Sequence, residues 1–214
     1  MYYPGMASTI ELAAKIDSAD KITAAAYFRT NALRYDLQLL GGIYSGEDLF
    51  LGTGWSGNIW DIAFRGEISY FKDLDNFKDT TGHTMVSAGL DYTFGNSLFI
   101  QTEVLYSGFA KEFDISNFLQ LYAGNLDVKS LGFTEWSIFS SLSYPITPLL
   151  TGGFAAIYYP EWKGTYLGPS IDISIGNNFA LSLIFQYFTA EFEVGGDLSR
   201  ENNSFGFLRL KWNF

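Results

Sequence analysis

The chain has 214 residues, enough for one domain, and its 48% hydrophobic and 17% charged residues are not the composition of a disordered protein. It contains no cysteine, which excludes disulfides, thiolate chemistry and cysteine-based zinc sites. Its 13 basic and 23 acidic residues give a net charge of −10, which excludes nucleic acid as an expected partner because phosphates are also negative.

The first half of the chain predicts five β-strands, because apolar and polar residues alternate there at a period of two. The segments cover residues 10–16, 22–28, 35–43, 49–55 and 60–70. The fourth is short and rich in glycine, which suits a curved or bulged strand. The fifth has the clearest alternation, with Ile62 and Phe64 opposed to Asp61 and Arg65.

The second half predicts further strands of the same kind, which brings the total to about twelve. They cover residues 86–94, 98–107, 136–144, 150–159, 171–175, 181–187 and 205–214. Gly95 and Asn96 join the first two of these as a hairpin. We therefore expect a single all-β domain over residues 1–214.

The long insert before residue 136 predicts one short helix in a loop. Asp114 can cap its start and Gly124 can end it. One face would carry Ile115, Phe118, Leu119 and Tyr122. Such a helix either packs on the rim of the fold or forms a lid or constriction.

The last ten residues, FGFLRLKWNF, place apolar and charged side chains on opposite faces. Gly206, Leu208, Leu210, Trp212 and Phe214 share one face, and Arg209 and Lys211 lie on the other. The pattern resembles the C-terminal signal strand of Gram-negative outer-membrane β-barrels, in which a terminal Phe after alternating apolar residues is recognised by the insertion machinery. The resemblance implies that machinery as a partner, bound through Phe205–Phe214.

Insertion as a transmembrane helix is excluded, because no apolar run approaches the roughly 18 residues that a spanning helix needs. The N-terminal residues MYYPGM lack the basic region and apolar core of a signal peptide. A secreted form would therefore have lost its targeting segment, and Met1 would not be the original start.

Two features favour a membrane barrel over the alternative, a soluble sandwich or lipocalin-like barrel. The apolar faces are uninterrupted and end in Tyr or Trp, whereas the polar faces carry mostly small residues. Connectors also alternate in length: they are tight near Asn31, Gly57, Gly95, Ile146 and Asn177 and long at residues 73–82, 110–130 and 195–203. An even strand number returns both termini to the periplasm.

Three stretches resemble the C-terminal region of longer outer-membrane β-barrel proteins. They are Leu142–Leu149 (LSYPITPL), Leu167–Ser170 (LGPS) and Phe207–Trp212 (FLRLKW), with a weaker likeness at Gly52–Gly57 (GTGWSG). The resemblance implies a β-barrel in the bacterial outer membrane and implies no activity. Together with the strand count from the alternation, it predicts an antiparallel up-and-down barrel of about twelve strands. The chain could then be the end of a larger barrel.

The alternation predicts which side chains contact lipid and which line the lumen. Leu208, Leu210, Ile173, Leu183, Ile62 and Val104 are expected to face lipid; Arg209, Asp172, Gln186, Arg65 and Glu103 are expected to face the lumen. Membrane lipid is thus an expected partner, together with other outer-membrane proteins.

The lumen charges predict two opposed walls. The basic wall consists of Lys15, Arg29, Arg34, Arg209 and Lys211, and the acidic wall of Asp61, Glu67, Asp91, Glu103, Glu135 and Asp172. A field between such walls resembles the constriction of general porins and favours a passive channel for small polar solutes. In the alternative, Glu11 pairs with Arg209 and Asp36 with Arg34, and a closed barrel acts as a structural, adhesive or complex-forming surface protein.

Catalysis is not expected. The sole histidine, His83, has Ser87 four residues on, which does not match the motif of outer-membrane phospholipases, and a solvated loop position is the simpler interpretation. No phosphate-binding loop or HExxH motif occurs. The acidic pairs and clusters at residues 47–48 and 73–79 lack the EF-hand register, so neither metal nor cofactor is expected.

Overall fold

The computed structural model describes residues 2–5, 7–17, 20–75, 77–78, 82–109, 134–176, 178–194 and 197–212. Within these ranges thirteen strands occur and no α-helix. They are β1 (Tyr2–Gly5), β2 (Ser8–Ile16), β3 (Ile22–Ala32), β4 (Tyr35–Tyr44), β5 (Asp48–Ile59), β6 (Ile62–Asp73), β7 (His83–Thr93), β8 (Phe99–Ser107), β9 (Trp136–Thr147), β10 (Leu150–Tyr159), β11 (Gly164–Ile175), β12 (Phe179–Val194) and β13 (Asp197–Trp212). In this part of the chain, no helix is long and apolar enough to cross a membrane.

The strands form an up-and-down sheet in chain order from β1 to β13. The pairs β1–β2 through β5–β6 and β9–β10 through β12–β13 are antiparallel. The twelve strands β2 to β13 agree with the number of about twelve expected from the alternation, and each has nine or more residues. The four-residue β1 was not predicted.

The chain divides into two compact units. The first unit comprises Met1–Gly89 and Leu105–Glu135, and the second unit comprises Leu90–Val104 and Trp136–Phe214. The pairs β1–β2 through β5–β6 therefore lie in the first unit, and the strands β9 to β13 lie in the second.

The register gives each unit one polar and one apolar face, because directly paired residues point to the same side of a sheet. In the first unit Gln38 pairs with Arg29 and Gly54, whereas the next residue, Leu39, pairs with Phe28 and Thr53. In the second unit Ser182 pairs with Asp172 and Arg209, whereas Leu183 pairs with Ile171 and Leu208. The predicted division of residues between two faces is thus confirmed for these strands.

Short and longer connectors alternate along the chain as predicted, with one exception. Two residues join the strands at 33–34, 60–61 and 148–149, whereas β6 and β7, and β8 and β9, are much farther apart in sequence. Positive φ angles close the tight turns, for example at Arg34 (69°), Trp60 (54°) and Gly176 (78°). Between β2 and β3, Lys21 donates to Glu47 of the connector after β4, and this hydrogen bond raises the pKa of Lys21.

The prediction of a long connector at residues 195–203 was wrong. β12 and β13 are sixteen-residue strands joined at residues 195–196, so most of that stretch is strand. Polar contacts across the hairpin hold this extension: Arg200 donates to Glu191 at 2.8 Å, and Tyr187 Oη donates to Asn202 Oδ1 at 3.1 Å. Alternation of apolar residues could not reveal a strand stabilised in this way.

Two further expectations concern element boundaries. The glycine-rich β5 is twelve residues long, Asp48–Ile59, rather than a short segment ending at Trp55. Its glycines are tolerated because neighbouring side chains occupy the space beside them. The helix expected between Asp114 and Gly124 lies outside the described residues.

Candidate functional site

The polar face of the first unit carries a hydrogen-bonded network across β3 to β6. Asp36 accepts from Arg29 NH2 at 2.8 Å and from Asn31 Nδ2 at 3.0 Å. Gln38 accepts from Tyr27 Oη at 3.1 Å and donates to Glu67 Oε1 at 3.4 Å. Each charge in this network therefore meets a partner on its own or a nearby strand.

Gly54 explains how Gln38 reaches Glu67, two strands away. It stands between the two in the register, pairing with Gln38 on β4 and with Glu67 on β6. A Cβ at position 54 would clash with the Gln38 side chain. The missing side chain at position 54 therefore lets a polar contact span three strands.

The polar face of the second unit carries the row Asp172, Ser182 and Arg209, which are direct partners on β11, β12 and β13. Ser182 Oγ donates to Asp172 Oδ1. Glu103 lies on the same side, because its neighbour Thr102 is hydrogen-bonded at 3.2 Å to Ser140, a residue of the opposite face. Opposite charges thus share one polar face.

The structure places the predicted wall residues unevenly. On polar faces of strands lie Lys15, Arg29 and Glu67 of the first unit and Glu103, Asp172, Arg209 and Lys211 of the second. Arg34 and Asp61 lie in turns, Glu135 immediately precedes β9, and Asp91 lies in β7.

Local pairing differs from the expected alternatives. Asp36 pairs with Arg29 rather than with Arg34. Asp172 and Arg209, assigned to different walls from the sequence, lie in one row separated by Ser182. The field between two opposed walls involves residues of both units and stays a prediction.

The opposite, apolar face is exposed in both units. In the second unit it reaches along β12 from Phe179 to Tyr187, roughly 27 Å at about 3.4 Å per residue, close to the about 9–11 residues with which a barrel strand crosses a bilayer. Its exposed side chains include Ile138, Leu142, Phe154, Ile171, Leu183, Leu208 and Leu210, and in the first unit Leu37, Leu39, Leu49, Leu51, Ile62 and Ile68. Apolar exposure on this scale marks a surface that contacts something other than water.

Aromatic clusters on the polar faces were not foreseen. In the first unit Phe71 is 8% exposed and packs on Phe50 (6.0 Å) and Phe109 (5.5 Å). In the second, Tyr159 is also 8% exposed and packs on Phe188 at 6.3 Å. The sequence does contain a signal for the cluster of the first unit. Phe50 and Phe71 occupy positions of β5 and β6 that the alternation assigns to the polar face, and the two residues are paired.

His83 begins β7 and is half-buried, with its ring stacked on Phe109 at 4.4 Å, so the expected solvated loop position was wrong. No group of three or more His, Cys, Asp or Glu residues that could hold a metal ion occurs within the described ranges. His83 therefore contributes an aromatic contact to the cluster of Phe71 and Phe109.

An antiparallel up-and-down sheet with one polar face and one exposed apolar face is the pattern of the outer-membrane β-barrel class. In agreement, the chain is similar to the crystal structure of the outer membrane channel DcaP of Acinetobacter baumannii, with a TM-score of 0.55 and 11% identity over 97% of this chain and 70% of that chain. The two share a fold. No family model and no curated protein sequence matches the chain.

Proposed function

We propose that the chain is an outer-membrane barrel that forms a passive, porin-like channel for small polar solutes. The observation that carries this proposal is the separation of faces, with hydrogen-bonded charges on one side and exposed aliphatic side chains on the other. In a soluble sheet the apolar face would be covered, whereas in a membrane it contacts lipid. The fold shared with an outer membrane channel supports the same conclusion.

The polar face has the chemistry of a weakly selective pore. The row Asp172, Ser182 and Arg209 presents both charges, and the Gln38–Glu67 contact adds amide and carboxylate groups. Such groups replace part of the hydration of a polar solute without binding it tightly. No catalytic step is needed, since passive diffusion of a solute requires only a water-filled path through the barrel.

The same proposal places both termini in the periplasm, since the twelve long strands β2 to β13 return the chain to the side on which β2 begins, and it assigns the short connectors to that side. Phe205–Phe214 would then bind the insertion machinery during assembly. The alternation of short and long connectors supports this orientation, because bacterial barrels have short periplasmic turns and longer external loops.

A second candidate is a closed barrel that acts as a structural, adhesive or complex-forming surface protein. The aromatic clusters around Phe71 and Tyr159 favour it, because they fill space on the polar faces with nearly buried rings. Apolar rings can also form a constriction that excludes water.

Single-channel recording in a planar bilayer separates the two candidates. A channel gives stepwise currents, and replacing Tyr159 by Ala should enlarge them if its ring narrows the path. A closed barrel gives no current, and Tyr159→Ala leaves it silent. Folded insertion is verified in the same preparation by resistance of the barrel to protease.

A further inference from the structure

A shallow groove crosses the apolar face of the second unit over β11, β12 and β13. Its volume is about 440 Å³, and its walls include Pro169, Ile171, Leu183, Phe185, Gly206 and Leu208. Gly206 creates it, because this residue pairs with Phe185 and a Cβ there would meet only open space. The groove is thus an apolar depression on the surface that would face the acyl chains of a membrane.

Two cations lie near the other end of these strands, Lys163 in the turn before β11 and Arg200 on β13 close to its connector with β12. Lys163 Nζ contacts Glu191 Oε2 at 3.0 Å, and Arg200 NH2 contacts Glu191 Oε1 at 2.8 Å. Glu191 on β12 and Arg200 on β13 are paired in the register. Glu191 is an even number of residues from Phe185 along β12, and Arg200 is an even number of residues from Gly206 along β13. The ion cluster therefore lies on the face of the groove, roughly 20 Å along the strands.

The cluster lies four residues of β12 beyond Tyr187, where the apolar stretch ends, so in a membrane it would lie outside the hydrocarbon, in the headgroup region. The side chains of Lys163 and Arg200 are 68% and 53% exposed, whereas that of Glu191 is 24% exposed. The two cations hold one carboxylate between them, a geometry that also suits two oxygens of a phosphate. Glu161 in the same turn accepts instead from the backbone of Trp136.

We propose that this face binds one anionic phospholipid, whose phosphate has no cation in its own headgroup and contacts Lys163 and Arg200, and whose acyl chain lies in the groove at Gly206. Glu191 pairs with both cations and competes with the phosphate for them. The proposal rests on the part of the proposed function that puts the apolar face in a membrane, but it does not require an open channel.

Native mass spectrometry of the purified chain tests this site with two lipids of identical acyl chains, phosphatidylglycerol and phosphatidylcholine. The wild type should bind phosphatidylglycerol more tightly, and Arg200→Gln or Lys163→Gln should each reduce that preference about fivefold. Glu191→Gln should strengthen phosphatidylglycerol binding, because it removes the competitor. A purely structural ion pair predicts no gain.

Gly206→Leu fills the groove and should weaken both lipids while leaving single-channel conductance unchanged, because residue 206 lies on the face away from the polar row. Lys72→Gln is the matched control: Lys72 lies near the end of β6 in the first unit, 5.4 Å from the centre of the Phe77 ring. It should not alter the preference.

Three results would overturn the proposal. The first is equal affinity for the two lipids, unaffected by Glu191→Gln. The second is complete displacement by inorganic phosphate at matched concentration with no effect of Gly206→Leu, which would make the site an ion site. The third is a dimer of the chain that Gly206→Leu dissociates, which would assign the groove to a second copy. If lipid binding were intact but no variant showed conductance, the proposed channel function would be contradicted and the lipid site would not.

Discussion

At the scale of single residues, parity along a strand decides the environment of each side chain. Leu183 is 42% exposed on the apolar face and pairs with Ile171 and Leu208, whereas Gln186 belongs to the polar face of the same strand. Leu183 and Gln186 are three residues apart, and an odd separation along a strand places two side chains on opposite faces, because the side-chain period is two.

Substituting arginine at Leu183 and at Gln186 measures the difference between the environments of the two faces. Leu183→Arg should cost roughly 2–4 kcal/mol of unfolding free energy in lipid vesicles, because a cation enters the hydrocarbon, and Gln186→Arg should cost much less. The measurement is reversible unfolding by denaturant, followed by tryptophan fluorescence. Equal costs at the two positions would refute the assignment of faces.

Substitutions at two glycines distinguish the effect of backbone strain from the effect of limited space for a side chain. A Cβ at Gly176 or at Gly206 meets open space, but only Gly176 has a positive φ, 78°. Gly176→Ala should therefore destabilise by about 1–2 kcal/mol, and Gly206→Ala should be neutral or slightly stabilising. The same unfolding assay checks both, and a loss of stability at position 206 alone would contradict this explanation.

The face of most strand residues could be predicted from sequence, since alternation reports it directly. The contacts within a face could not. Asp36 bonds to Arg29 and Gln38 reaches Glu67 because the register and a glycine at position 54 bring them together. Register depends on turn geometry, which composition does not specify.

At the scale of elements, the β12–β13 hairpin extends well past its apolar stretch. Its outer part is held by Arg200 and Glu191 and by Tyr187 and Asn202, so hydrogen bonding replaces burial there. Sequence periodicity identified the inner part, where Leu181, Leu183 and Phe185 alternate, and missed the outer part. Under the proposed function this outer part lies beyond the bilayer and needs no apolar face, which accounts for the loss of the alternating pattern.

The aromatic cluster of the first unit is the nearest equivalent of a hydrophobic core. Phe71→Ala should destabilise by about 3–5 kcal/mol because it leaves a cavity beside Phe50 and Phe109. Phe205→Ala is the matched control: Phe205 is 53% exposed and stacks only loosely with Phe207 at 6.4 Å, so about 1 kcal/mol is expected. A similar cost for both would show that the cluster contributes little.

At the scale of the whole molecule, the acidic excess should set ion preference. The chain carries a net charge of −10, and carboxylates such as Glu103 and Asp172 lie on a polar face. A water-filled path along that face would attract cations and repel anions, more strongly at low salt.

Reversal potentials in a salt gradient check this preference. The wild type should be weakly cation-selective, and the double variant Asp91→Asn with Asp172→Asn should be less so while keeping its fold. Gln186→Asn, which changes no charge, is the control. A reversal potential that ignores both carboxylates would mean that they do not line the path.

The fold class could be inferred from sequence because every strand repeats the same two-faced pattern, and an outer membrane channel shares the resulting fold. The polar-face chemistry was predicted only in part. Arg34 and Asp61 occupy turns, because β4 begins at Tyr35 and β6 at Ile62, one or two residues later than the alternation suggested.

Cysteine modification during single-channel recording tests the central claim most directly, namely that the polar face lines a water path and the apolar face contacts lipid. The chain has no cysteine, so Ser182→Cys and Leu183→Cys each introduce one thiol, on adjacent residues of opposite faces. A charged, water-soluble thiol reagent should change the current of Ser182→Cys in discrete steps and leave Leu183→Cys unaffected. Absence of any current, or modification of Leu183→Cys as fast as that of Ser182→Cys, would contradict the claim.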